Sequence, residues 1–186
     1  PLTVRFRRID VRDGLLLDGE AGWGETSPFW DYDAVESAAW LRAGIEGATS
    51  RLPKPLRDRI PVNVTVPVVD PASAHSIVVE SGCSTAKVKV ADPQTDLASD
   101  CARVEAVRDA LGTAGRIRVD ANAAWDVETA TPAIGELRTA AGELEYVEQP
   151  CPSVAELAAV RARVDVPIAA DESVRRAEDP VSVARA

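Results

Sequence analysis

The sequence predicts an α/β protein in two parts: a small α+β module with its linker over residues 1–60, then, over residues 61–186, the first five βα units of an incomplete (β/α)8 TIM-type barrel, with about five of its eight strands present. Three observations predict this. Apolar strand-like runs alternate with helical patterns from Val62 onward, as parallel βα units require. Neither GxGxxG nor GxxxxGKS/T occurs, so the glycine-rich phosphate loop of a nucleotide-binding doubly wound sheet is missing. The ionisable residues that stand out fall at the ends of successive strands, where a (β/α)8 barrel carries its chemistry.

The elements follow in order. Residues 2–25 read as short strands separated by turns (VRFRRIDV, GLLLDG, AGWGE), which suits a small antiparallel sheet. Asp33 is placed to cap a helix with apolar positions Val35, Ala38, Ala39, Leu41 and Ile45, and Gly47 lies where that helix could stop. The proline-rich stretch RLPKPLRDRIP reads as a linker. After it come a strand (VNVTVPVV), a short helix from Pro71 to Gly82 and a second strand (TAKVKV). Leu97, Cys101, Val104, Val107 and Leu111 then recur at helical spacing. RIRVD is the third strand, followed by a helix weakened by Pro132. LEYVEQP is the fourth strand, SVAELAAVRARV a helix, VPIAAD the fifth strand, and EDPVSVARA opens another helix.

Composition excludes several function classes. A net charge of −9 leaves no basic excess for a phosphate-backbone binder, so nucleic acid is not an expected partner. No apolar run approaches the roughly 20 residues of a membrane span. Charges interrupt the N-terminal residues before a signal-peptide core could form. No membrane association and a cytoplasmic location are expected. Cys83, Cys101 and Cys151 are odd in number and show no zinc spacing, which suits reduced, structural thiols. His75 is the only histidine, so any Ser/His/Asp or Cys/His system would rest on that one residue.

The informative residues form a set. Of 21 basic residues only Lys54, Lys87 and Lys89 are lysines, and two of these share one short strand. A lysine amine can lose its proton near neutral pH, whereas a guanidinium cannot. The two-residue period points Lys87 and Lys89 to one side while Ala86, Val88 and Val90 face the packing helices. Asp120, Glu148 and Asp171 each follow a mainly apolar strand, separated by about one βα unit. Any one of these acids could simply cap the next helix. Three in succession, after a strand bearing two lysines, point instead to one rim that holds a hard cation such as Mg²⁺. An amine base beside a metal and a second ammonium would have its pKa lowered, which suits abstraction of a proton α to a carboxylate. The substrate is then a small-molecule carboxylate. Lys89, one pleat nearer the C-terminal rim than Lys87, is the better placed base.

With these motifs the sequence resembles the enolase superfamily, in its muconate-lactonising-type branch, whose pattern is KxK, then DxN, EQP and DES. They stand here as Lys87-Val88-Lys89, Asp120-Ala121-Asn122, Glu148-Gln149-Pro150 and Asp171-Glu172-Ser173. The surrounding residues resemble bacterial o-succinylbenzoate synthases more than the racemases and epimerases of the branch. The resemblance implies a carbon–oxygen lyase that dehydrates 2-succinyl-6-hydroxy-2,4-cyclohexadiene-1-carboxylate to o-succinylbenzoate, in menaquinone biosynthesis. Its cofactor would be Mg²⁺, with Mn²⁺ as a substitute, held by Asp120, Glu148 and Asp171. Lys89 would take the α-proton, with Lys87 beside it. The N-terminal module would cap the barrel mouth, and the segment from Gly22 to Tyr32 would form a lid. Trp23, Phe29, Trp30 and Tyr32 would contact the substrate ring, and Asn122 and Ser173 would also bind substrate. A further lysine is implied on a sixth strand; this sequence stops after the fifth and reads as part of a longer chain. Two alternatives stand beside this: an N-acylamino acid racemase or dipeptide epimerase of the same superfamily, and a non-catalytic βα binding module or inactive fragment.

Overall fold

The computed structural model describes residues 1–2, 9–175 and 179–186. They form two compact units, Pro1–Ile60 and Pro61–Ala186. The first predicted strand, residues 4–11, falls largely outside the described residues.

In the first unit β1 (Leu15–Gly19) and β2 (Gly22–Thr26) form an antiparallel hairpin, with Leu15 opposite Thr26 and Gly19 opposite Gly22. Helix α1 (Ala34–Thr49) starts at Asp33, whose carboxylate accepts the N–H groups of Val35 and Glu36, both at 2.8 Å. The helix runs two residues past Gly47, where a stop is predicted, and ends at Thr49. A Cβ on Gly24 of β2 would lie 1.8 Å from the carbonyl oxygen of Gly44, so helix and strand main chains meet where side chains are absent. The buried residues of α1 are accordingly Gly44 and Ala48, while Val35, Leu41 and Ile45 of the predicted apolar stripe are exposed.

The second unit carries β3 (Val64–Val66), α2 (Pro71–Ser81), β4 (Thr85–Lys89), α3 (Leu97–Leu111), β5 (Arg116–Asp120), α4 (Val127–Ala141), β6 (Tyr146–Glu148), α5 (Val154–Arg161), β7 (Ile168–Ala169) and α6 (Asp179–Arg185). All five strands are parallel and neighbour one another in chain order, β3-β4-β5-β6-β7. Sequential order means the sheet never reverses at a switch point, as a doubly wound sheet does. Helices α2 to α5 pack neighbour on neighbour. The five strands are a partial barrel.

The two faces of the sheet divide by the two-residue period. Val66, Ala86, Val88, Ile117, Val119 and Val147 are wholly buried, in one cluster with Val104, Val107, Ile134, Leu137 and Val160 of the helices. Removing each such valine or isoleucine from water contributes roughly 1.5–3 kcal/mol. The other face carries Lys87, Lys89, Arg118, Asp120 and Glu148.

Helix ends are sharply set by side chains: Asp70, Asp96 and Asp126 cap α2, α3 and α4, and Ser153 with Glu156 closes a capping box on α5. Helix α4 runs through Pro132 without a break. The burial of Ala130, Ala133, Ile134 and Leu137 outweighs the one backbone hydrogen bond that proline removes. Among the described residues no helix is long and apolar enough to cross a membrane.

Candidate active site

Strand register builds the site. Lys89, Asp120, Glu148 and Ala169 are partners across four neighbouring strands, and the first three are the last residues of β4, β5 and β6. One row deeper lie Thr65, Lys87, Arg118 and Tyr146. The chain then turns sharply at each strand end: Ala91 (φ 63°), Asn122 (φ 47°), Ala123 (φ 63°) and Gln149 (φ 38°) are left-handed without being glycine. Such conformations are disfavoured for residues with a Cβ and concentrate where a site demands them.

The side chains of the two rows meet. Lys89 Nζ lies 2.5 Å from Oδ2 of Asp120 and donates to Oδ1 of Asn122 at 2.8 Å. Lys87 Nζ, from the deeper row, reaches up to Glu148 Oε1 at 2.8 Å and Asp120 Oδ2 at 3.1 Å. Asp120 is completely buried and Glu148 nearly so. Burial raises the Glu148 carboxyl above the ordinary glutamate range, and repulsion from Asp120 adds to this against the pull of Lys87. Burial also opposes the Asp120 carboxylate, but hydrogen bonding and attraction from Lys89, and attraction from Lys87, outweigh it and hold this group below the usual range.

Lys87, expected as the ammonium beside the base, is itself held in its charged form. Burial pulls its pKa down, yet the hydrogen bond to Glu148 and the attraction of Asp120 hold it above the ordinary lysine value. Its nearest charges are two carboxylates, and these favour the ammonium.

The three predicted metal ligands are not all brought together. Asp120 and Glu148 are adjacent, but among the described residues no three Asp, Glu, His or Cys side chains are gathered closely enough to hold an ion. Asp171 stands on an exposed bend past the two-residue strand β7, while the lysine ammonium groups take the carboxylate oxygens of the other two.

Asn122 and Ser173, expected to face substrate, have partners within the protein. Asn122 accepts from Lys89 and donates through Nδ2 to Glu172 Oε1 at 3.0 Å, while Ser173 Oγ accepts from Gln149 Nε2 at 2.7 Å. In the first unit Trp23 and Trp30 are exposed, while Phe29 packs edge-on against Tyr32 and Trp40, at ring-centroid distances of 5.7 and 6.4 Å, and Tyr32 lies tilted to Trp40 at 6.0 Å. Gly22–Thr26 of the expected lid is strand β2, so only the residues after it form a loop.

The enolase C-terminal domain-like family matches residues 71–186, and the enolase N-terminal domain-like family matches residues 1–48. The chain belongs to the enolase superfamily. An o-succinylbenzoate synthase of Thermobifida fusca is 60% identical over 98% of this chain, which covers 57% of that relative; the chain spans little more than half the length of such curated relatives. Among solved structures, the o-succinylbenzoate synthase of Thermosynechococcus elongatus, with Mg in its active site, aligns with a TM-score of 0.65 and 25% identity over 92% of this chain and 64% of that one. A dipeptide epimerase of Enterococcus faecalis aligns with a TM-score of 0.60 and 33% identity over 68% of this chain and 36% of that one.

This enolase-superfamily chain has one site-forming residue to which the sequence reading assigned no role. Gln149 is completely buried. Its Oε1 accepts the N–H groups of Asp171 at 2.8 Å and Ser173 at 3.2 Å, and its Nε2 donates to Ser173 Oγ and to the Cys151 carbonyl at 2.9 Å. It therefore fixes the bend that carries Asp171. The signal in the sequence was a neutral amide beside an acid at a strand end, which cannot serve as a charge and must find partners when buried.

Proposed function

We propose that the protein is an o-succinylbenzoate synthase, which removes the proton α to the carboxylate of 2-succinyl-6-hydroxy-2,4-cyclohexadiene-1-carboxylate and eliminates water. The observation that carries the chemistry is the in-register row of Lys89, Asp120 and Glu148 at the rim of three neighbouring strands. The choice of this reaction over epimerisation is supported by 60% identity to the Thermobifida synthase, against 33% to the Enterococcus epimerase over a smaller share of the chain.

Three oxygen donors are the types a hard divalent cation takes, although their side chains are not gathered round one point here. Two buried carboxylates lie side by side with mutual repulsion, and a third acid is held on the next strand end by Gln149. Asp120, Glu148 and Asp171 are the residues that would hold Mg²⁺, with Mn²⁺ as a substitute. When bound, the cation supplies positive charge against the charge that grows on the substrate carboxylate.

The remaining work falls to the chain. Lys89 Nζ, at the rim, takes the proton from the α-carbon. The hydroxyl on the neighbouring ring carbon leaves as water with the proton that Lys89 took, which restores the amine, and the ring becomes aromatic. Asn122 Oδ1 and Asp120 orient the Lys89 amine from two directions. Lys87, one row deeper, carries a positive charge that meets the substrate carboxylate.

The test is turnover of the cyclohexadiene substrate by the full-length protein with Mg²⁺, beside N-acylamino acids and dipeptides. Formation of o-succinylbenzoate supports the assignment. Epimerisation without dehydration would transfer the site to the epimerases.

A further inference from the structure

Helix α3 carries a charged pair on its sheet-facing side: Asp100 and Arg103 are 1% and 2% exposed. Burying an ion pair brings little net stability, because desolvation offsets the attraction, and apolar residues would fill the same space at least as well. The other partners of the pair indicate what it does. Arg103 Nη1 donates to Asp100 Oδ1 at 2.7 Å and to the carbonyl oxygen of Lys89 at 3.0 Å, and Nε donates to the carbonyl oxygen of Val69 at 2.8 Å. Asp100 Oδ2 accepts the N–H of Ala91 at 2.8 Å.

The main chain of Lys89 is thus gripped on both sides. β3 pairs with β4 only as far as Val66 opposite Val88, so the Lys89 carbonyl lies one residue beyond that ladder. The guanidinium takes this carbonyl where the strand no longer does. Two residues on, the carboxylate holds Ala91, whose left-handed backbone needs support. A planar fork with fixed donor directions can span Val69, Lys89 and Asp100 together, which a lysine ammonium cannot.

We propose that Asp100 and Arg103 are positioning residues for Lys89, fixing the end of β4 so that its amine is presented at one place on the rim. This rests on the reading of Lys89 as the base. Neither residue touches substrate; both act through the main chain of Lys89.

The experiment uses the full-length enzyme with Arg103→Lys, Arg103→Met and the milder Asp100→Asn. Val104→Ala, a buried apolar truncation on the same helix, serves as control. kcat, KM, melting temperature and hydrogen exchange over residues 88–95 are measured well below the melting point. Arg103→Lys and Asp100→Asn should lower kcat by ~10- to 100-fold, as expected for a base displaced by a fraction of an ångström to an ångström. KM should change little, and exchange at Ala91 should accelerate. Val104→Ala should lose melting temperature with nearly parental kcat. Parental kcat in Arg103→Lys and Asp100→Asn despite faster exchange at Ala91 would overturn the proposal. So would a kcat loss in Val104→Ala equal to theirs at equal melting temperature, since the effect would then be general loosening. Failure of the underlying reading is seen separately, as parental turnover in Lys89→Arg.

Discussion

Lys89 and Asp120 are register partners at the ends of adjacent parallel strands, and the amine of one lies 2.5 Å from the carboxylate of the other. The contact follows from a two-residue period on both strands, which turns the residues to the same side of the sheet at the same height. Lys87 reaches the same carboxylate oxygen from one row below. The two lysines therefore share partners while differing in depth, and that difference separates their roles.

Lys89→Arg should keep positive charge at the rim and abolish turnover, by at least the ~100- to 10,000-fold attributed to a positioned general base, because guanidinium stays protonated. Lys87→Arg should cost less, and mainly in KM. Turnover and solvent-deuterium incorporation at the α-carbon of the full-length protein separate the two. A Lys89→Arg enzyme near the parental rate would assign the proton transfer to another group.

Mg²⁺ should stabilise the protein by mass action, by about 2.7 kcal/mol at a hundredfold excess over its Kd. Asp120→Asn should remove this Mg²⁺-dependent increment whatever it does to baseline stability, since one donor is lost from the heart of the set. Melting curves across a Mg²⁺ titration decide the matter, with EDTA as reference. An unchanged increment in Asp120→Asn would place the cation elsewhere.

Gln149→Leu should destabilise the protein by roughly 2–4 kcal/mol, because it strips partners from one buried carbonyl, at about 1–3 kcal/mol, and from two partly buried N–H groups that cost less. The N–H groups of Asp171 and Ser173 and the carbonyl of Cys151 all lose their contact. Freed from the amide, the Asp171 bend should also bind Mg²⁺ more weakly. Denaturant unfolding and metal titration together test this. A Leu variant with parental stability and Mg²⁺ affinity would show that Gln149 does not hold the bend.

Cys151 supplies a pH dependence. Burial, with the nearby Glu156 and Asp126 charges, pushes its thiol up to about 11, so the folded state keeps the proton that the unfolded state releases near 9. Its contribution to stability is complete below the unfolded pKa and declines between about pH 9 and 11, at up to about 1.4 kcal/mol for each pH unit. Cys151→Ala should flatten the stability curve over that window. Cys151 should also resist alkylation at pH 8 until the protein unfolds. Rapid alkylation of the folded protein would contradict its burial.

Much of the fold is written locally. The alternation of Lys87, Val88 and Lys89 marks a strand with one polar and one apolar face, and Asp33, Gly82 and the Ser153–Glu156 box mark helix ends, because such preferences act within a few residues. Acids following three successive apolar strands were legible for the same reason: a strand end is a local feature. What joins them is not local. Strand register alone brought Lys89, Asp120 and Glu148 into one row and left Asp171 on the next bend, and it turned Asn122 and Ser173 toward protein partners. Asp100 and Arg103 lie among the apolar positions of α3, yet no sequence pattern tells that their partners are Val69, Lys89 and Ala91, up to 34 residues away. Gly24 and Gly44 likewise meet only because strand and helix cross there. Local preference decided which element each segment became; the burial of polar groups, each requiring a partner wherever the chain can supply one, decided which residues serve the site.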